Sequence, residues 1–250
     1  MACVMHKFTD PNHVTIGTFL GMGTPMAAEI AAVGGVDWVL LDLEHGGAGE
    51  DLVGPTVVAG MAYGIPTLVR VESMERIRIG RALDAGASGV MIPRIETPDQ
   101  VSEIVKHMSY PPFGDRGVAT YNRSAKWGRD LSGLTEKSKA ACIIQIETLK
   151  ALENIEAIAK IEGADLLFVG PLDLSFALGV PRDFKSPKFL EATSKVVAAA
   201  KANNKVAGIL AADATAAQSF IDQGFKFIAI GSDSTLLAGA ITNLVTQLKK

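Results

Sequence analysis

Eight short runs of β-branched and leucine-rich residues, each followed by a helix-length segment rich in alanine, constrain this chain more than any other feature. The runs occupy 15–20, 37–43, 67–70, 89–93, 142–146, 166–169, 206–210 and 227–230. The helical segments fall at 25–33, 51–63, 74–85, 98–108, 149–161, 187–203, 214–223 and 234–249. Such alternation argues for parallel βα units, and eight of each is the number that closes a (β/α)8 TIM barrel. An open doubly wound sheet would show fewer strands and a glycine-rich nucleotide turn after the first. The Gly-Met-Gly at 21–23 is a weak version of that turn, with no ribose-binding acid placed after it. Ala-Gly-Ala at 85–87 and Gln-Gly at 223–224 read as helix stops.

A length of 250 residues suits one barrel domain spanning 1–250, with no linker in view. Apolar residues make up 48% of it, ample for a core, and a net charge of −3 offers no electrostatic case for nucleic acid or an anionic membrane. A small-molecule partner is expected. The two cysteines, Cys3 and Cys142, form neither a metal-ligand spacing nor a disulfide framework. Together with an amino terminus that lacks a signal-peptide core, and no apolar run long enough for a bilayer, they point to a reducing, cytoplasmic setting.

Barrel active sites lie at the carboxyl ends of the strands, so the polar residues closing each run are the candidates. Asp42, Glu44 and His45 follow the second run, Arg70 the third, Arg94 the fourth, Gln145 and Glu147 the fifth, and Asp173 the sixth, after a Gly-Pro turn. Neighbouring parallel strands joined by a crossover helix would bring Glu147 and Asp173 out together. Two carboxylates without nearby cysteine or histidine suit a hard divalent ion, magnesium or manganese first, completed by water or an oxygen-rich substrate. Each acid has an equal plain reading, Glu147 as a first-turn helix acid and Asp173 as a turn residue. His45 reads as a metal ligand, a base or a loop histidine bonded to backbone. Arg70 either pairs with Glu72 or offers its fork to a carboxylate or a negative oxygen. His6, His13 and His107 are left as surface residues. No G-x-S-x-G, P-loop, H-E-x-x-H or C-x-x-C pattern is present.

One connection breaks the rhythm. The segment 109–131 is far longer than a βα loop needs, and it carries Tyr110, Trp127, Arg116, Arg123 and Arg129, material for a lid or an interface.

In order and spacing, DWVLLDLEHG, GVMIPRIET, YPPFGDRG, IIQIET, LLFVGPLDLS and FIAIGSDSTLL resemble the metal-dependent (class II) pyruvate aldolases typified by hydroxyketoheptanedioate aldolase, in the superfamily that includes the citrate lyase β subunit. The resemblance runs from about 15 to 237. It implies a (β/α)8 barrel, a divalent metal (magnesium, manganese or cobalt) held by Glu147 and Asp173, and reversible cleavage of 4-hydroxy-2-oxo acids to pyruvate and an aldehyde. It further implies that Arg70 stabilises the pyruvate enolate, that His45 is the general base with Asp84 raising its basicity, and that Gln145, Gly170 and Leu172 contact pyruvate. Asp84 ends a helix leading into the fourth strand, which places it near the opposite rim; Asp42 is the geometric alternative. Leu172 stands where members tend to have a small residue, and Arg123 and its loop neighbours are expected to shape the aldehyde side. Related proteins assemble as hexamers with the last helix, 234–249 here, exchanged between subunits. The apolar face of Ile241, Leu244, Val245 and Leu248 is compatible with that or with packing on its own barrel. Rival readings are oxaloacetate decarboxylation, lyase chemistry on a coenzyme A thioester, and a non-catalytic sensor barrel.

Overall fold

A computed structural model describes residues 8–249, so Cys3 and His6 lie outside the described residues. Eight strands, β1 (Thr15–Leu20), β2 (Trp38–Asp42), β3 (Thr67–Arg70), β4 (Gly89–Ile92), β5 (Ala141–Ile146), β6 (Leu166–Val169), β7 (Val206–Ala211) and β8 (Phe227–Ser232), follow one another round a closed parallel barrel. β8 closes onto β1 with a register shift between Gly17 and Phe19. The helices are α1 (Pro25–Val33), α2 (Val53–Ala62), α3 (Arg76–Asp84), α4 (Pro98–Met108), α5 (Leu149–Glu153), α6 (Ile155–Ala159), α7 (Pro171–Ala177), α8 (Pro187–Ala202), α9 (Ala214–Gln223) and α10 (Asp233–Leu248).

Side chains alternate across each strand, so one set fills the barrel and the other meets the helices. Phe19, Leu40, Leu68, Met91, Ile143 and Phe168 belong to the inner cluster. Val39, Val69, Ile92, Ile144 and Leu167 belong to the layer beneath the helices. The aromatic centre of the inner cluster is tight: Trp38 stacks on Phe227 at 3.9 Å between ring centroids. Gly17 makes room for it, since a Cβ there would fall 2.1 Å from the indole ring. The two expected stops hold, with Gly86 and Gly224 at φ +98° and +110° beyond α3 and α9.

Three expectations need correcting. The segment 149–161 is not one helix but α5 and α6, divided at Asn154, whose side-chain amide donates to the Glu96 carbonyl at 2.8 Å. His107 is buried, with Nδ1 2.8 Å from the Asp115 carboxylate and Nε2 3.5 Å from Glu103. The long connection cannot be a lid over this barrel's own mouth. Helices run back along the strands, so a segment joining α4 to β5 lies at the amino-terminal rim, opposite the carboxyl ends. It is fastened there: Arg116 bonds the Asp84 carboxylate at 2.5 Å, and the Arg123 and Ser124 N–H groups donate to the Asp84 carbonyl. Asp84 and Arg123, with Arg78, Arg81 and Trp127, line a pocket of about 450 Å³ on the outside of the barrel.

α10 starts from a capping box between Ser232 and Thr235. None of its residues is buried, and Leu237, Ile241, Leu244 and Leu248 are exposed.

Candidate active site

The alternation that fills the barrel also builds its mouth. Two residues beyond inner Leu40 comes Asp42, two beyond Leu68 comes Arg70, and two and four beyond Ile143 come Gln145 and Glu147. The register sets Asp42 beside Arg70 and Gln145 level with Phe168 of the aromatic layer, with Glu147 two residues further toward the mouth. All four are buried.

Arg70 pairs with Asp42 rather than with its neighbour Glu72. Nε and Nη2 donate to the two Asp42 oxygens at 2.8 and 2.6 Å, a fork across adjacent strands. Nη1 lies 3.1 Å from the Glu44 carboxylate. Burial alone would raise the Asp42 carboxyl, but Arg70, with the backbone N–H groups of His45 and Glu44, outweighs it and holds the acid below its usual range. Burial likewise opposes the Arg70 charge, and Asp42 and Glu44 more than restore it. The guanidinium is therefore a fixed cation whose remaining N–H groups are left to the mouth.

Glu147 does not open the following helix. Thr148 occupies the cap, its hydroxyl accepting from the Ala151 N–H at 3.1 Å, which leaves Glu147 outside α5. Its carboxylate instead accepts from the Arg94 N–H at 2.8 Å and from the Gln145 amide. Burial pushes the Glu147 carboxyl up, and the nearby charges of Asp173 and Glu44 add to that against the two hydrogen bonds. Glu44 is raised as well, by burial first. Asp173, whose plain reading was a turn residue, is an exposed first-turn acid of α7 and makes no hydrogen bond or ion pair with any described residue. Gly170 fits because a Cβ there would stand 2.6 Å from Glu147 Oε2 and 2.9 Å from Gln145 Nε2. Leu172 is exposed beside Asp173, its carbonyl accepting from the Ser175 hydroxyl.

This donor set fits a hard divalent cation. Burial and the neighbouring acids disfavour the charged forms of Glu147 and Glu44, of which only Glu44 has a cation, Arg70, at contact distance, and Gln145 Oε1 is a buried acceptor with no partner. Among the described residues no three His, Cys, Asp or Glu side chains gather closely enough to enclose a metal by themselves. Two carboxylate ligands with the other positions left to water and substrate is how magnesium is commonly held.

His45 is exposed on the loop after β2, with Nε2 3.8 Å from Glu44. Its loop is shaped by the His45 and Glu44 N–H groups donating to Asp42 and by the Gly47 N–H donating to the Gly21 carbonyl. Neither expected partner reaches the imidazole within the chain: Asp42 bonds only the His45 backbone, and Asp84 is committed to Arg116 on the opposite rim. Two features escaped the sequence reading. Glu44, noted there only as a strand-end acid, is one of the residues converging on Arg70. Arg94, left without a role, has a left-handed backbone at φ +55°, a conformation costing a side-chain-bearing residue about 1–2 kcal/mol. Only its position beside Glu147 at a strand end could have drawn attention to it.

Residues 15–240 match the HpcH/HpaI aldolase/citrate lyase family. A 2-keto-3-deoxy-L-rhamnonate aldolase of Salmonella paratyphi A is 35% identical over 236 residues, covering 94% of this chain and 88% of that protein. A crystal structure of a family protein from Burkholderia cenocepacia superimposes with a TM-score of 0.93 at 33% identity, covering 100% of both chains. An HpcH/HpaI aldolase from Desulfitobacterium hafniense gives 0.88 at 29% identity, covering 95% of this chain and 93% of that one.

Proposed function

Because this chain belongs to the HpcH/HpaI aldolase/citrate lyase family and is an aldolase, we propose that it cleaves 4-hydroxy-2-oxo acids reversibly to pyruvate and an aldehyde, with a divalent metal at Glu147 and Asp173. One observation carries this reading: Glu147, buried and in no ion pair among the described residues, stands near Asp173, two strands from an arginine fixed by Asp42. Magnesium, manganese and cobalt all suit the donor set. When bound there, the ion supplies Lewis-acid polarisation of the 2-oxo group.

The residues account for the rest. Gln145, Gly170 and the backbone at Leu172 bound the space in which the pyruvate half lies. As the bond between C3 and C4 breaks, its electron pair passes into the 2-oxo group as the pyruvate enolate, and Arg70 faces the oxygen that gains charge. The 4-hydroxyl proton leaves to the imidazole of His45 as the aldehyde forms, and a proton returned to C3 completes pyruvate. Asp84 and Arg123 lie on the far rim, so either can serve a mouth only from a second copy. The uncovered apolar face of α10 supports such a homo-oligomer, a hexamer or trimer of dimers with that helix exchanged. No described helix is long and apolar enough to cross a membrane.

The test is pyruvate release from a panel of 4-hydroxy-2-oxo acids, including 2-keto-3-deoxy-L-rhamnonate, by chelator-stripped protein with and without added magnesium, manganese or cobalt. Metal-restored turnover is expected on at least one sugar-derived or aliphatic member. Pyruvate appearing only from oxaloacetate would replace the aldolase reading with decarboxylation.

A further inference from the structure

Arg94 closes β4 between the strand that ends in Arg70 and the strand that ends in Gln145 and Glu147. Its backbone serves the site directly, because its N–H donates to Glu147 and its left-handed turn sends the chain away from the mouth immediately afterwards. Neither task uses the side chain. Glycine would supply the same N–H and the same turn without strain. The guanidinium is exposed and forms no hydrogen bond, ion pair or ring contact with any described residue, so neither packing nor a salt bridge within the chain accounts for it. A long cation is thus held at the mouth against a conformational cost.

The surroundings indicate what such a cation would meet. Asp42, Glu44, Glu147 and Asp173 make the mouth acidic, and Arg70, paired with the first two, offsets only part of that charge. An acceptor bearing its own anion would be repelled unless another positive group stood outside that ring. Arg94 is tethered there: its N–H touches the Glu147 carboxylate, and an arginine side chain extends no more than about 7 Å from its Cα. The pyruvate half is read as lying over the buried Gln145 and Glu147, and the exposed Arg94 side chain stands outside that buried ring, on the side left to the aldehyde half.

We propose that Arg94 is a specificity-determining residue, favouring acceptor aldehydes that carry an anion, carboxylate or phosphate, at the end remote from the carbonyl. The inference rests on the aldolase reading above.

Its test compares three acceptors in metal-loaded addition of pyruvate: butanal, 4-oxobutanoate and glyceraldehyde 3-phosphate. Arg94→Gly should lower the kcat/KM ratio of an anionic acceptor over butanal at least tenfold, chiefly through KM, and Arg94→Lys should restore most of it. Whichever anion suffers the larger fall identifies the chemistry recognised. The glycine variant should unfold at or above the wild-type temperature, and Arg94→Asn, which also tolerates the turn, serves as its check. A ratio that falls less than tenfold, or that lysine does not restore, overturns the assignment. Wild-type protein that uses butanal but neither anion overturns the assignment alone, whereas no turnover with any of the three or with the 4-hydroxy-2-oxo acid panel above overturns the aldolase reading with it, which separates the two failures.

Discussion

Glu147→Gln and Asp173→Asn should each lower kcat/KM about 1,000-fold, corresponding to about 4 kcal/mol of lost transition-state stabilisation from an absent Lewis acid. The size follows from the ligand count: with only two carboxylates on the protein side, removal of either leaves one anchor. Folding should survive. A glutamine at 147 can still accept from the Arg94 N–H, and it removes a carboxyl that burial and the charges of Asp173 and Glu44 already disfavour in its ionised form. The Asp173→Asn change keeps a polar side chain in the first turn of α7, where the acid has no partner to lose. The two variants should therefore unfold near the wild-type temperature without metal and fail to gain from its addition. Wild type should gain about 2.7 kcal/mol at a metal concentration 100 times Kd. Thermal unfolding with and without metal, beside the turnover assay, reads both effects. A variant that keeps full metal-dependent turnover would remove its residue from the ligand set.

Arg70 should behave in the opposite way. Arg70→Lys keeps a positive charge near Asp42 but loses the planar fork, and its ammonium cannot fill both Asp42 oxygens and still face the mouth. Turnover should fall roughly 100- to 1,000-fold, the cost of removing a positioned donor to a developing oxyanion. The metal-induced rise in unfolding temperature should persist, since Arg70 touches neither Glu147 nor Asp173. Arg70→Ala is the harsher change. It leaves the Asp42 carboxylate buried without its counter-ion and should cost about 3–5 kcal/mol of stability, so lysine is the variant that separates chemistry from folding. Wild-type turnover in the lysine variant would sink the role given to Arg70.

The fold was legible in the sequence because one physical rule repeats eight times. Buried parallel strands must be short and apolar, and the crossover helices between them must carry one apolar face; thus the runs at 15–20, 67–70 and 166–169 coincide with β1, β3 and β6 to the residue. The same rule made the mouth legible, since Arg70 and Glu147 continue, at even spacing, the inner faces of the strands they close. What stayed hidden depends on contacts between residues distant in sequence. Glu72 was the near partner offered to Arg70, but the strand register brings Asp42 alongside from 28 residues away. Of the two readings of the long loop, lid or interface, the lid over its own mouth fails because loop composition says nothing about which rim it occupies; its place between α4 and β5 does. His107 looked like a surface residue until Asp115, on the loop that folds back over α4, was seen to cover it. The left-handed backbone of Arg94 leaves no trace in residue type, because arginine has no preference for it. The exposure of α10 was equally unreadable, as an apolar stripe serves a neighbouring subunit as well as its own barrel.

The central claim is that this mouth makes a pyruvate enolate, and the most direct measurement needs no acceptor at all. Pyruvate in deuterated water, followed by proton NMR, should lose its methyl signal to deuterium exchange in the presence of metal-loaded protein. The exchange should stop on chelation and be lost in Glu147→Gln and Arg70→Lys. Methyl exchange no faster than in metal-containing buffer alone, from folded protein that binds the metal, would contradict the account.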